Sequence, residues 1–140
     1  MNKKQRISVR ELMKDSFTTI DSRATICEAL RKMKKMRTSL LVVEKKHADD
    51  QFGLLLVADI ANEVLARDRA PTRVNVYEVM QKPALSVHPD MDIRYCSRLF
   101  ARFKLVRALV VEDGAVVGTI SPNALVLDGL YELESELGSA

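Results

Sequence analysis

The feature that most constrains what this chain can fold into is that it contains one pattern twice. Val-Arg-Glu-Leu-Met at 9–13 returns as Val-Tyr-Glu-Val-Met at 76–80. At that same spacing Ile20 falls on Val87, Thr25 on Asp92, Ile26 on Ile93, Ala29 on Cys96, Met33 on Phe100 and Met36 on Phe103. After one inserted residue Leu41 to Glu44 lies over Leu109 to Glu112, and Gly53 then lies over Gly118. Self-similarity of this kind marks a repeated supersecondary unit, so two copies of one small unit are expected.

Each copy reads alike. A short extended segment (Phe17 to Ile20; Ala84 to Val87) leads into a helix whose apolar residues fall at helical spacing. Thr25 with Glu28 forms a capping box at the start of the first helix, and Asp92 caps the second. Two runs rich in Leu and Val follow in each copy, SLLVVE then FGLLLV and RALVVE then AVVGTI, and each pair reads as a hairpin. Asp113-Gly114 signals a tight turn, whereas KKHADDQ gives the first hairpin a longer polar loop. A second helix closes each unit, over Ala58 to Arg67 and from Pro122 to about Glu136. The organisation predicted is therefore a first repeat over 1–68 with a basic leading segment, a linker over 69–75 containing Pro71, and a second repeat over 76–140 with an acidic final helix. Hairpins this uniformly apolar need cover on both faces, which two copies packed together would supply.

Composition narrows the function classes. A chain of 140 residues with 47% hydrophobic content, 5 Gly and 4 Pro can bury a core. Trp is absent and aromatics are 5%, which leaves few platforms for stacking bases. The run RKMKKMR at 31–37, with Arg94, Arg98, Arg102, Lys104 and Arg107 in the second copy, reads as the outer face of amphipathic helices, Met33 and Met36 falling on the buried period. No nucleic-acid partner is expected. Lys3, Lys4, Arg6, Arg10 and Lys14 crowd one end and Asp128, Glu132, Glu134 and Glu136 the other, either as solvated faces or as mutually attracting termini. Cys27 and Cys96 are far apart and lack neighbouring histidines, so neither a zinc site nor a redox dithiol is indicated. No apolar run approaches the ~18 residues of a membrane span, and the expected location is the cytoplasm, without a membrane partner. Enzymatic function has the weakest case: His47 sits beside Asp49 and Asp50 without a nucleophile or third ligand, and His88 precedes Pro89 in a turn.

The order and double occurrence of these patterns resemble a tandem pair of CBS domains, also called a Bateman module. The residues that carry the likeness are V-x-E-L-M at 9–13, T-I-C-E-A-L-x-x-M at 25–33, S-L-L-V-V-E at 39–44 and G-L-L-L-V-A-D-I at 53–60, with their second set through G-T-I-S-P-N-A-L at 118–125. The resemblance implies an α/β (α+β) fold, two β-α-β-β-α repeats about a pseudo-twofold axis, and two nucleotide sites where the sheets meet at a central cleft. It further implies a non-catalytic sensor of an adenosine-containing ligand (AMP, ADP, ATP or S-adenosylmethionine), used in regulation such as energy sensing, that forms a homodimer through its helices and signals to a separate protein partner. A bound adenine nucleotide is thus expected as ligand, with no cofactor or metal required.

In that family the nucleotide motif is a glycine, two apolar residues, Thr or Ser, two more residues, then Asp. The arrangement makes chemical sense: a hydroxyl and free amides at a helix start face phosphate, and a carboxylate one turn inside accepts from both ribose hydroxyls. Each copy here holds half of it. The first keeps Asp59 but has Leu56 at the hydroxyl position, leaving a bare helix start. The second keeps Ser121, followed by Pro122, but has Ala124 at the acid position, with Asn123 beside it. The remaining lining residues implied are Thr19, Ile20, Ser39 and Leu40 around the first site, and Ser86, Val87, Arg107 and Ala108 around the second. Arg107 suits an anion, with an ion pair to Glu112 as its structural alternative. Ser121-Pro122 is equally a good helix start in its own right. A dimeric scaffold that binds only protein, its nucleotide sites degenerate, is the competing reading.

Overall fold

A computed structural model describes residues 6–134. Lys3, Lys4 and Glu136, members of the charge clusters at the two ends, lie outside the described residues. The chain forms two compact units. One is continuous, Phe17–Ala84; the other is split, built from the segment up to Ser16 together with the chain from Leu85 onward. The short stretch that opens each sequence repeat therefore packs with the body of the other repeat: helix α1 (Val9–Leu12) belongs to the split unit and the 3₁₀ turn Val76–Glu78 to the continuous one. Periodicity finds the repeat but carries no information about which body its opening stretch joins.

In the continuous unit, strand β1 (Thr19–Ile20) pairs parallel to β2 (Leu40–Val43), which pairs antiparallel with β3 (Gly53–Leu56). Helix α2 (Ile26–Met36) crosses between β1 and β2. Its capping box forms as the sequence predicts, with Glu28 N–H donating to Thr25 Oγ1 at 3.1 Å and Thr25 N–H donating to Glu28 Oε2 at 3.1 Å. The helix ends on Arg37 in the left-handed region, φ 52°. Ile26, Ala29 and Met33 face a core shared with Leu41, Val43, Leu55, Val64 and Val76. Met36, expected on the buried face, is 54% exposed, because it is the last helical residue and lies beyond the edge of that core.

The split unit repeats this order with β4 (Ser86–Val87), α4 (Ile93–Phe103), β5 (Ala108–Glu112) and β6 (Ala115–Ile120), in sheet order β4-β5-β6. Asp92 caps α4 by accepting from Arg94 N–H at 2.8 Å, and Lys104 ends it at φ 52°, as Arg37 does in the other unit. Asp113 (φ 53°) and Gly114 (φ 78°) make the two-residue hairpin turn with both central residues left-handed. Cys96 is fully buried among Ile93, Phe100 and Val110, and that burial raises its thiol to about 11; Cys27 is half-buried. Phe103, at the end of α4, is exposed like Met36.

The closing helices depart from the predicted regular α-helices. After β3, α3 (Val57–Ile60) widens into a π turn over Ala61–Leu65, with Ala66 N–H reaching Ala61 O at 2.8 Å and Arg69 N–H reaching Val64 O at 3.0 Å. After β6, residues 122–123 are helical, Ala124–Leu130 are π-wound, and α5 (Tyr131–Leu133) completes the described helix. The strands opening the two sheets are also shorter than predicted, two residues each, with Thr18 O and Leu85 O just before them accepting from Val42 N–H and Leu109 N–H. No helix among the described residues is long and apolar enough to cross a membrane.

Candidate functional site

The end of β3 and the helix it enters form the first candidate site. Leu40 pairs with Leu56, and Val57 N–H donates to Ser39 O at 3.0 Å, so the starts of β2 and α3 are tied together. Thr19 lies one strand away, in register with Val42. The helix start has no side-chain cap, as expected with Leu56 in the hydroxyl position; Leu56 is buried instead. Asp59 sits in the first turn, half-buried, and its Oδ2 accepts from Gln81 Nε2 at 3.0 Å. Ile20 is buried in the core and presents no side chain to solvent. Ser39, Leu40, Leu56 and Asp59 are thus brought to one end of the sheet, whereas Thr19 and Ile20 pair opposite Val42 and Val43, toward the other end of β2.

Gln81, which the sequence motif does not include, joins Asp59, and Lys32, from the basic run, lies beside β1. Lys32, on α2, donates from Nζ to Thr19 O at 2.6 Å, placing an ammonium beside β1. Gln81 reaches Asp59 from a segment that the repeat assigns to the other copy. The basic run reads first as a solvated face, with neutralising the phosphates of a bound nucleotide from a dimer's neighbouring surface as a further use, and nothing in local spacing joins 81 to 59.

The second candidate site occupies the matching end of the split unit. Ser121 Oγ accepts from Ala124 N–H at 3.3 Å and Leu125 N–H donates to Ser121 O at 3.1 Å, so Ser121 caps the helix that Pro122 opens. Asn123 is exposed in its first turn. Ser86 is exposed and in register with Leu109; Val87 and Ala108 are buried. Arg107 is half-buried and donates from Nη1 to Val106 O at 2.8 Å. The alternative partner weighed for it, Glu112, binds Arg10 instead, at 2.7 Å.

Arg10 also lies 3.2 Å from Asp90, so its guanidinium bridges two carboxylates and holds α1 on the split unit; the Arg10 hydrogen bond keeps the Glu112 carboxyl below its ordinary value. His88, Asp90 and Glu112 approach closely enough to suggest a cation site, their ligand atoms within 4.8 Å of one another. Arg10 already supplies the positive charge there, and His88 Nδ1 accepts from Asp90 N–H at 3.0 Å. His47, in the loop between β2 and β3, is exposed; its neighbour Asp50 is engaged by Lys82 at 2.6 Å, which lowers the Asp50 carboxyl.

Two mixed three-stranded units with this repeat, each ending its antiparallel hairpin in a helix, define a tandem-repeat α/β protein. The sequence matches the CBS domain over residues 9–66 and again over 76–127, and the chain belongs to that family. It is similar to a hexameric CBS-CP12 protein from bloom-forming cyanobacteria, at 30% identity and a TM-score of 0.87, over 91% of this chain and 71% of that one. It is also similar to the CBS domain of a bacterial CNNM/CorC family Mg2+ transporter solved in complex with ATP, at 22% identity and a TM-score of 0.72, over 89% of this chain and 88% of that one. An uncharacterized protein of Methanopyrus kandleri is 24% identical over 82% of this chain, which spans 59% of that relative's length. CBS domains are modules that often bind nucleotides or regulate partners, and none of these matches indicates an enzyme family.

Proposed function

We propose that this chain is a non-catalytic, cytoplasmic regulatory module that binds an adenosine-containing ligand, of the AMP, ADP, ATP or S-adenosylmethionine type, at the Asp59 end of the continuous unit and passes that event to a partner protein. The observation that carries the reading is the Asp59 carboxylate, half-exposed in the first turn after β3 and grouped with Ser39 and Leu40. A carboxylate so placed accepts from a vicinal diol, and an apolar strand end suits a flat base. The Lys32 ammonium at Thr19 O is a candidate counter-charge for phosphate. The split unit supplies Ser121, Asn123 and Arg107 without a carboxylate, a set better matched to an anion than to a diol.

The second reading, a protein-binding homodimer, is favoured by one observation. Val126, Leu127, Leu130 and Tyr131 are exposed on the closing helix of the split unit, and Leu30, Val57 and Leu65 border an apolar groove of the continuous unit. Such surfaces fit association through helices, and the 30%-identical cyanobacterial relative is hexameric. A thermal-shift titration against AMP, ADP, ATP and S-adenosylmethionine separates the two readings. Ligand at ~100 times its dissociation constant stabilises the fold by about 2.7 kcal/mol. A shift that disappears in Asp59→Ala supports the sensor. No shift with any ligand, together with a dimer by light scattering, supports the scaffold.

A further inference from the structure

The geometry points to Gln81 as a positioning residue for Asp59, one that makes the site in the continuous unit a reader of ribose hydroxyls; this inference rests on the nucleotide-binding reading above. Gln81 is fixed by its main chain. Its N–H donates to Leu54 O at 2.8 Å and its carbonyl accepts from Leu54 N–H at 2.9 Å, which bridges it to β3. The approach is close: a Cβ on Gly53 would stand 3.3 Å from Gln81 O. From that anchored position the side-chain amide donates to Asp59 Oδ2 at 3.0 Å. Among the described residues no donor reaches Oδ1. A carboxylate has about four lone-pair sites, so one hydrogen bond from Gln81 orients the group and leaves enough capacity for two hydroxyls.

The split unit shows what Gln81 is not needed for. Lys14 makes the same two-bond bridge, its N–H to Thr119 O and Thr119 N–H to its carbonyl, both at 2.9 Å. Lys14 corresponds to Gln81 through the match of Met13 with Met80, and Ala124 corresponds to Asp59 through the match of Gly118 with Gly53. The bridge therefore forms with either side chain. The amide stands opposite a carboxylate in one unit, and where the carboxylate is missing the amide is missing too. The identity of residue 81 follows Asp59, not the sheet.

The test uses the full chain, with AMP and 2′,3′-dideoxy-AMP as probes in calorimetric titrations of the wild type and Gln81→Met. A neutral side chain of similar length keeps the bridge and removes the donor. The wild type is expected to prefer AMP. Gln81→Met is expected to lose about tenfold or more in AMP affinity, in line with one hydrogen bond to a charged group, with dideoxy-AMP affinity unchanged. Equal loss for both ligands would mark a merely structural role and overturn the inference, as would an unchanged preference for AMP. A wild type that binds AMP and dideoxy-AMP equally also overturns it while leaving the sensor reading intact. A wild type that binds neither probe, and none of ADP, ATP and S-adenosylmethionine in the same titration, removes both. Should Gln81→Met not fold, Gln81→Leu is read in the same way.

Discussion

Gly118 and Gly53 occupy matching positions in the two hairpins, and replacing each by alanine should cost different amounts. A Cβ at Gly118 would lie 2.7 Å from Lys14 O, 3.0 Å from Met13 Sδ and 3.2 Å from Met13 Cγ. The nearest atom is main chain and cannot rotate away, so the segment carrying Lys14 must move, and both 2.9 Å bonds between Lys14 and Thr119 lengthen. Overpacking costs about 1–3 kcal/mol and each weakened bond a fraction of about 1 kcal/mol, which gives ~2–3 kcal/mol for Gly118→Ala. At Gly53 the nearest atom is Met80 Sδ at 3.0 Å, the end of a flexible side chain, followed by Val43 Cβ at 3.2 Å and Gln81 O at 3.3 Å. A shift of a few tenths of an ångström relieves these contacts, for about 1 kcal/mol. The entropy alanine removes from the unfolded chain, about 0.4–1 kcal/mol, enters both variants and cancels in their difference. Urea unfolding followed by circular dichroism measures each midpoint and slope. Gly118→Ala should lower the midpoint clearly more than Gly53→Ala, with the slope unchanged. Equal costs, or a larger cost at Gly53, would refute the claim that the docked segment of the split unit is held rigidly against β6.

Three further outcomes follow from the same structure. Ser121→Ala should destabilise by about 0.5–1 kcal/mol, because the 3.3 Å bond to Ala124 N–H is long for a cap; chemical denaturation measures it. Asp21, held at about 2 by its hydrogen bonds from Arg23, and Glu112, lowered by Arg10, both have folded values below their unfolded ones. Their contribution is complete above the unfolded carboxylate range near ~4 and is lost as pH falls toward about 2, so the urea midpoint should drop across that window and drop less steeply in Arg10→Leu. A thiol reagent should modify half-buried Cys27 first, and Cys96, fully buried and raised to about 11, only on unfolding; mass spectrometry of the timed reaction decides this.

What could be read from the sequence was what local chemistry fixes. Thr25 and Glu28, Asp92, Asp113-Gly114 and Ser121-Pro122 each specify a cap or turn through contacts within four residues, and each forms. The capping boxes of Ser8 with Glu11 and Asn75 with Glu78 carry the same kind of signal for the two short opening turns. The π turns could not be read, because a register change in the hydrogen bonds leaves the apolar spacing nearly intact. The destination of the opening segments could not be read either, since Met80 and Met13 are equivalent by pattern whichever hairpin they pack on. At the site, Asp59 was legible from its place after Gly53, whereas Gln81 reaches it, and Lys32 reaches Thr19, through folding of distant segments.

The two halves of the split motif then make sense as separate specialisations of one backbone. Duplication supplies the same strand, bridge and helix start twice, and the main chain holds that geometry whichever side chains it carries, as Gln81 and Lys14 demonstrate. Side chains are free to diverge at three matched positions. The continuous unit has Leu56, Asp59 and Gln81, giving an uncapped helix start with an oriented carboxylate; the split unit has Ser121, Ala124 and Lys14, giving a hydroxyl cap, no carboxylate and an added cation. Restoring the missing acid by Ala124→Asp would place a carboxylate in the split unit without the amide that orients it. With no amide to orient it, that carboxylate should confer little ribose preference at the second site, and Ala124→Asp combined with Lys14→Gln should confer more.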